Sequence, residues 1–203
     1  MQWTEVDGYP MPLLLAGHPG LELCNTWGGW NSPPSPHRDW LRDYDRLAVW
    51  TGHTGLLPTP DTARLREQAA ADPATATRVL DDVRTLRTAL HDVLLDPTDD
   101  AAFAHVAHQA RRAAAAAVLT RDGGTARWIL PGDTGLELPL LACARAAADL
   151  LTDPARDTVR ACPGDECGWL FLDARGRRRW CSMAVCGNRA KVRAYAHRRG
   201  PTG

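Results

Sequence analysis

Apolar residues recur at three- and four-residue intervals over much of the first 150 positions. The clearest stripe is Val79, Val83, Leu86, Leu90, Val93 and Leu94, which lays one apolar face along a helix of about five turns. Asp81, Asp82, Arg84, Arg87 and Asp92 fall on its polar face. Trp40, Leu41, Tyr44, Leu47 and Ala48 repeat the pattern after Pro36 and predict an earlier helix. Thr59-Pro60 supplies an N-cap and a first-turn proline for another. Thr98-Asp99-Asp100 opens a further helix through Phe103 and Val106 into the alanine run at 113–117, where the high helix propensity of alanine takes over. Leu140, Leu141, Ala144, Ala147, Ala148 and Leu151 mark a last one over Pro139 to Thr152.

Strand signals are few. Leu21 to Cys24 reads as a short strand running into a Gly- and Pro-rich loop, and Arg127 to Leu130 as a strand after a double glycine. The expected fold is therefore mainly α (α+β). A helical N-terminal domain with a few short strands covers residues 1–155, and a small C-terminal module covers 156–203, the boundary falling in "TDPARDT". No internal repeat is present.

The 203 residues carry 24 Lys and Arg against 24 Asp and Glu, but unevenly. After Asp173 there are nine cations and no acid, so residues 1–173 carry 15 − 24 = −9. Such asymmetry points to a module that meets a polyanion, behind a more acidic body. At the N-terminus the apolar run is only Met11 to Ala16, broken by Pro12, with no basic stretch before it. That is too short for a leader or a membrane span, so no membrane association is expected and a cytoplasmic, nucleoid-associated site is. In that compartment the six cysteines are metal ligands or buried thiols before they are disulfides.

Four of them form two pairs, Cys162-Pro-Gly-Asp-Glu-Cys167 and Cys181-Ser-Met-Ala-Val-Cys186, thirteen residues apart. Two short knuckles separated by a hairpin-sized insert can bring four thiolates onto one tetrahedral Zn²⁺, a closed and hence structural site. An iron–sulfur cluster and scattered buried or redox thiols are the competing readings. Cys24 and Cys143 stand in apolar contexts and read as small buried hydrophobes. Within the insert, "GWLFLD" is strand-like, "ARGR" the turn and "RRW" the return. Beyond Ser182, a helix from about Met183 would hold Cys186 in its first turn. Arg177, Arg178 and Arg179 on the hairpin, with Asn188, Arg189, Lys191, Arg193, Arg198 and Arg199 on the helix, then form a basic face suited to phosphate contacts and guanine readout in duplex DNA. A few of these cations could instead offset the −2 charge of a four-thiolate zinc centre, and the face could be merely solvated or bind an acidic protein surface.

The stretch "CPGDECGWLFLDARGRRRWCSMAVCGNRAKVR" resembles the CGNR zinc-finger family over about residues 157–199: both cysteine pairs, Trp180, Ser182-Met183, Cys186-Gly187-Asn188-Arg189 and Lys191 fit it. The turn "DARGRRRW" is short beside the family's usual hairpin, which leaves the placement of Arg177 and Arg178 open. The preceding chain, with "GLELCNT", resembles the ABATE domain that accompanies this finger. The resemblance implies a bacterial, stress-induced transcription regulator with a finger that binds DNA. No G-x-S-x-G, Walker A, dinucleotide loop or HExxH occurs, and a non-enzymatic protein is expected. A body of this size could sense a small ligand or form a homodimer. Trp27, Trp30, Trp40, Trp50 and Trp128 could line a pocket or simply be core and interface, and His18, Asn25, His37 and His53 lie near the same segments. The alternative function is a zinc-stabilised module that binds an acidic partner in the transcription machinery.

Overall fold

The computed structural model describes residues 3–199, and of residues 122 and 197–199 the backbone only. A first hairpin pairs β1 (Trp3–Val6) with β2 (Tyr9–Pro12). Where a strand is expected at Leu21 to Cys24, the chain forms a short helix instead, α1 (Pro19–Cys24). His18 caps it, its Nδ1 accepting from the Gly20 amide at 3.1 Å, and Pro19 presets the first turn. Gly20 to Cys24 are all buried, Glu22 among them, and a buried run of that length cannot be assigned to strand or helix by periodicity alone.

The stripe after Pro36 splits. A 3-10 turn at Pro36–Arg38 is followed by irregular chain through Trp40 and Leu41. The helix proper, α2 (Tyr44–His53), starts only where the Asp43 carboxylate accepts from the Arg46 amide. Next, α3 (Thr59–Ala71) has Pro58 at its N-cap position, so Thr59 is its first residue rather than its cap. The main stripe is α4 (Pro73–Leu95), capped by Asp72, and α5 (Asp100–Ala116) follows with Asp99 as cap. The helix stops at Ala116, within the alanine run, and Val118 begins a second hairpin, β3 (Val118–Asp122) with β4 (Thr125–Ile129).

Helix α6 (Leu138–Thr152) is the axis of the body and packs against α1, α4 and α5. Leu138, Leu140, Ala144, Ala147 and Leu150 on it are completely buried, as are Val79, Val83, Leu86 and Leu90 of α4. Truncating one of these leucines to alanine would cost about 2–5 kcal/mol in lost burial and residual cavity. Cys24 and Cys143 lie in this core, and burial raises both thiols, Cys143 to about 12, so they are inert packing groups.

The C-terminal module is built on β5 (Val159–Ala161), β6 (Leu170–Leu172) and α7 (Asn188–Arg199). Here the expected hairpin is corrected. The partner of β6 is not the downstream "RRW" but upstream β5, with Arg160 opposite Phe171. Flanking bonds extend this ladder, Cys162 N to Trp169 O at 2.8 Å and Asp173 N to Thr158 O at 2.9 Å, so the hairpin encloses the first cysteine pair. Residues 174–180 form a separate turn, closed by Gly176 N and Arg177 N on the carbonyl and carboxylate of Asp173. Among the described residues, no helix is long and apolar enough to cross a membrane.

Candidate metal centre

The sulfurs of Cys162, Cys167, Cys181 and Cys186 all lie within 4.8 Å of one another, and all four residues are buried. Cys181 Sγ stands 3.6 Å from both Cys167 Sγ and Cys186 Sγ. Zinc–sulfur bonds of about 2.3 Å in a tetrahedron place the sulfurs about 3.8 Å apart, so the set fits one zinc ion with no open coordination position. The thiols' own chemistry agrees. Hydrogen bonds from Cys167 and Cys181 push the Cys162 thiol far down, while the same bonds push Cys167 up to about 12 and Cys181 higher still. One thiolate is thus tolerated at the expense of its neighbours, and a divalent cation is what permits four.

Each ligand has a local reason for its place. Cys162 follows β5 and Cys167 precedes β6, so the first knuckle is the loop of a hairpin. A methyl group at Gly164 would stand 3.1 Å from Cys186 Sγ and 3.5 Å from Cys162 Sγ, which explains a glycine there. Cys181 precedes, and Cys186 lies within, a π-helical turn at Met183–Gly187, which leads directly into α7. Ser182 occupies the N-cap position of that turn with extended backbone but makes no side-chain capping bond.

The centre is seated on the body through the segment 25–31, where the sequence predicts the end of a strand and a loop. Asn25 clamps β6: its Nδ2 donates to Leu170 O and its Oδ1 accepts from Leu170 N, both at 2.9 Å. The amides of Gly29 and Trp30 both donate to Cys167 O, and Asn31 Nδ2 donates to Gly164 O. Trp169 Nε1 donates to Trp27 O at 2.8 Å. Gly168 has φ of 69° and no room for a side chain, since a methyl would meet Trp30 Cβ at 2.7 Å. The Trp30 ring stacks on His91 of α4, centroids 3.7 Å apart and nearly parallel. Burial lowers the His91 pKa despite its bond to Asp92, which favours the neutral ring in that stack. Beneath this loop, Arg87 is 4% exposed and forms a two-armed ion pair with Asp39 at 2.7 and 2.9 Å. It belongs to the core, not to the solvated face the helical pattern assigns it.

The cations expected to meet DNA divide into two groups. Arg178 turns inward: its guanidinium donates to Leu15 O, Leu172 O and Cys181 O and lies 4.4 Å from the Phe171 ring centroid. It staples the turn to the body and is not available to a phosphate. Arg189 reaches the Cys186 sulfur at 3.4 Å and Arg193 pairs with Asp165 at 2.8 Å. Arg177, Arg179, Asn188 and Lys191 are exposed, Arg179 resting over the Trp180 ring, and Arg175 is exposed beside them. Arg198 and Arg199 fall at the end of α7, where side chains lie outside the described residues. Of the ring and imidazole groups considered for a pocket, Trp50 is core, Trp27, Trp30 and Asn25 seat the metal module, and His18 is a helix cap. The paired tryptophans around Gly28-Gly29 are the signal for the seat, and from the sequence they are only pocket, core or interface candidates.

A helical body bearing a small hairpin module closed on a four-sulfur structural metal site defines a zinc-finger protein. The chain belongs to the ABATE family: the family described as "Putative stress-induced transcription regulator" matches residues 17–154, more than half its length, and the CGNR zinc finger matches residues 158–199. No curated protein matches the chain. The four cysteines named above are the finger's metal ligands, and they hold one structural zinc.

Proposed function

We propose that the protein is a zinc-dependent, DNA-binding transcription regulator without enzymatic activity, acting in the cytoplasm on the nucleoid, whose body senses a small ligand or dimerises. The observation that carries this reading is the exposed set Arg175, Arg177, Arg179 and Lys191, on a stretch that contains no acid after Asp173. Flat guanidinium forks on a rigid metal-closed module suit phosphate contacts and guanine edges. One finger buries only about 600–1,000 Å² on DNA, so a homodimer on paired half-sites is part of the reading. Sedimentation with and without DNA tests it, and a monomer in both would remove the dimer.

The decisive experiment is recovery of genomic fragments bound by the zinc-loaded protein at two salt concentrations. A shared motif that survives the higher salt is expected. Diffuse binding that disappears with salt would reduce the interaction to counterion release and sink sequence-specific regulation. A second reading, a protein-interaction module for an acidic partner, is favoured by Met183, Val192 and Tyr195, large apolar side chains at least half exposed on the finger. Competition by unrelated duplex DNA separates the two, because a protein partner held through those side chains would not be displaced.

A further inference from the structure

A cleft of about 640 Å³ opens on the body between the Pro34–His37 segment and α4. Three guanidiniums line it, from Arg42, Arg84 and Arg87, against a single carboxylate, Asp39. Both Asp39 oxygens are already taken by Arg87. Arg42 is left with the carbonyls of Asp39 and His37, whereas Arg84 bonds the carbonyls of Leu41 and Arg42 and pairs with Asp39 at 3.3 Å and with the exposed Asp81 at 2.9 Å. Carbonyls satisfy N–H groups but leave the charge uncompensated, so, with Asp39 and Asp81 set against three guanidiniums, the cleft carries about one positive charge in excess, centred on Arg42. The Nε of Arg87, itself buried, has no hydrogen-bond partner among the described residues. The rest of the lining is Ser35, His37 and three flat apolar surfaces, the Trp27 indole and the rings of Pro34 and Pro36, with the Arg87 guanidinium 5.4 Å from the indole centroid. A surplus guanidinium charge beside flat rings selects a small, flat ligand with an anionic end.

The cleft also adjoins the seat of the finger. Trp27 and Asp39 face each other in an isolated strand bridge, with Trp40 N on Thr26 O and Gly28 N on Arg38 O. The carbonyl of Trp27 holds the Trp169 indole, and the amides of Gly29 and Trp30 hold Cys167 O. A ligand pressing on the Trp27 ring therefore acts on the same short segment that grips a zinc-bearing knuckle.

We infer that this cleft binds a small planar organic anion of the aromatic carboxylate class, and that it is the effector site of the body. The inference rests on the sensing role proposed above and gives it a place and a ligand chemistry. Its test is calorimetric titration of the zinc-loaded full chain with benzoate, benzamide and inorganic phosphate as probes. Benzoate is expected to bind one to one, with benzamide and phosphate each at least about tenfold weaker, and Arg42→Ala is expected to weaken benzoate about tenfold by removing a charge-assisted contact. Arg42 is exposed, so its loss leaves the core intact. No benzoate binding, equal binding of benzamide or phosphate, or indifference to Arg42→Ala would overturn the site. Saturating benzoate should also change, in either direction, the rate at which a chromophoric chelator removes zinc, and an unchanged rate would overturn the effector role. Neither readout uses DNA, so failure of the DNA-binding reading and failure of this one are told apart.

Discussion

Glu22 carries a carboxylate into the core, where it accepts from the Ala16 amide at 2.6 Å. Burial raises its pKa from the ordinary 4.5 to about 7, against the lowering effect of the Ala16, Gly17 and Leu15 amides and the Arg178 charge. The folded chain thus binds a proton that the unfolded chain has released between these values. Stability from this group is complete below about pH 4.5 and is lost as pH rises through about 7. Thermal melts across that window should show the decline, and Glu22→Gln should flatten it; a slope unchanged by the substitution would refute the assignment. Asn25 makes the opposite kind of contact, a neutral amide matched donor to acceptor with the backbone of Leu170. Asn25→Ala leaves two buried backbone groups unpaired, at about 1–3 kcal/mol each, and Asn25→Asp restores only the acceptor half. Melting temperatures in the order wild type, Asp, Ala would bear this out.

Among the elements, the turn 174–180 shows how one charge type serves two ends. Arg177→Ala, Arg179→Ala and Lys191→Ala together should leave the fold unchanged and, if DNA is the partner, reduce the salt dependence of binding by about three phosphates' worth of slope. Arg178→Ala removes the same charge per residue but should loosen the finger instead, because three carbonyls and the Phe171 face lose their partner. Proteolysis of the C-terminal module beside anisotropy with duplex DNA separates the two outcomes. The sequence cannot distinguish these arginines, since their roles depend on chain 160 residues away. Long helices were legible because α4 and α5 carry their own periodicity and caps. By contrast, α1 was not, because it is too short for a period and is buried all round, and β5 was passed over as linker because three residues, two of them exposed, hold no pattern. The four zinc ligands were legible from spacing alone, as metal chemistry constrains sequence directly.

At the scale of the whole molecule, finger and body share their packing: Leu170 of β6 belongs to the same apolar core as α4 and α6. Chelating the zinc should therefore unfold the finger and also lower the melting temperature of the body, while leaving far-ultraviolet helicity largely in place. A body that melts at the same temperature with and without zinc would contradict the shared core. This coupling was invisible in the sequence, where a proline-containing boundary at 153–160 suggested two independent units. It was carried by Asn25 to Asn31, polar, glycine and tryptophan residues whose partners arrive only with tertiary structure. Those partners arrive late in time as well. Asn25 and Leu170 are separated by 145 positions, which a ribosome adding about 5–20 residues per second crosses in roughly 7–30 s. Throughout that interval the residues of the seat are synthesised and their occupant is not, so a nascent chain stalled before residue 170 carries Asn25 without its backbone partner.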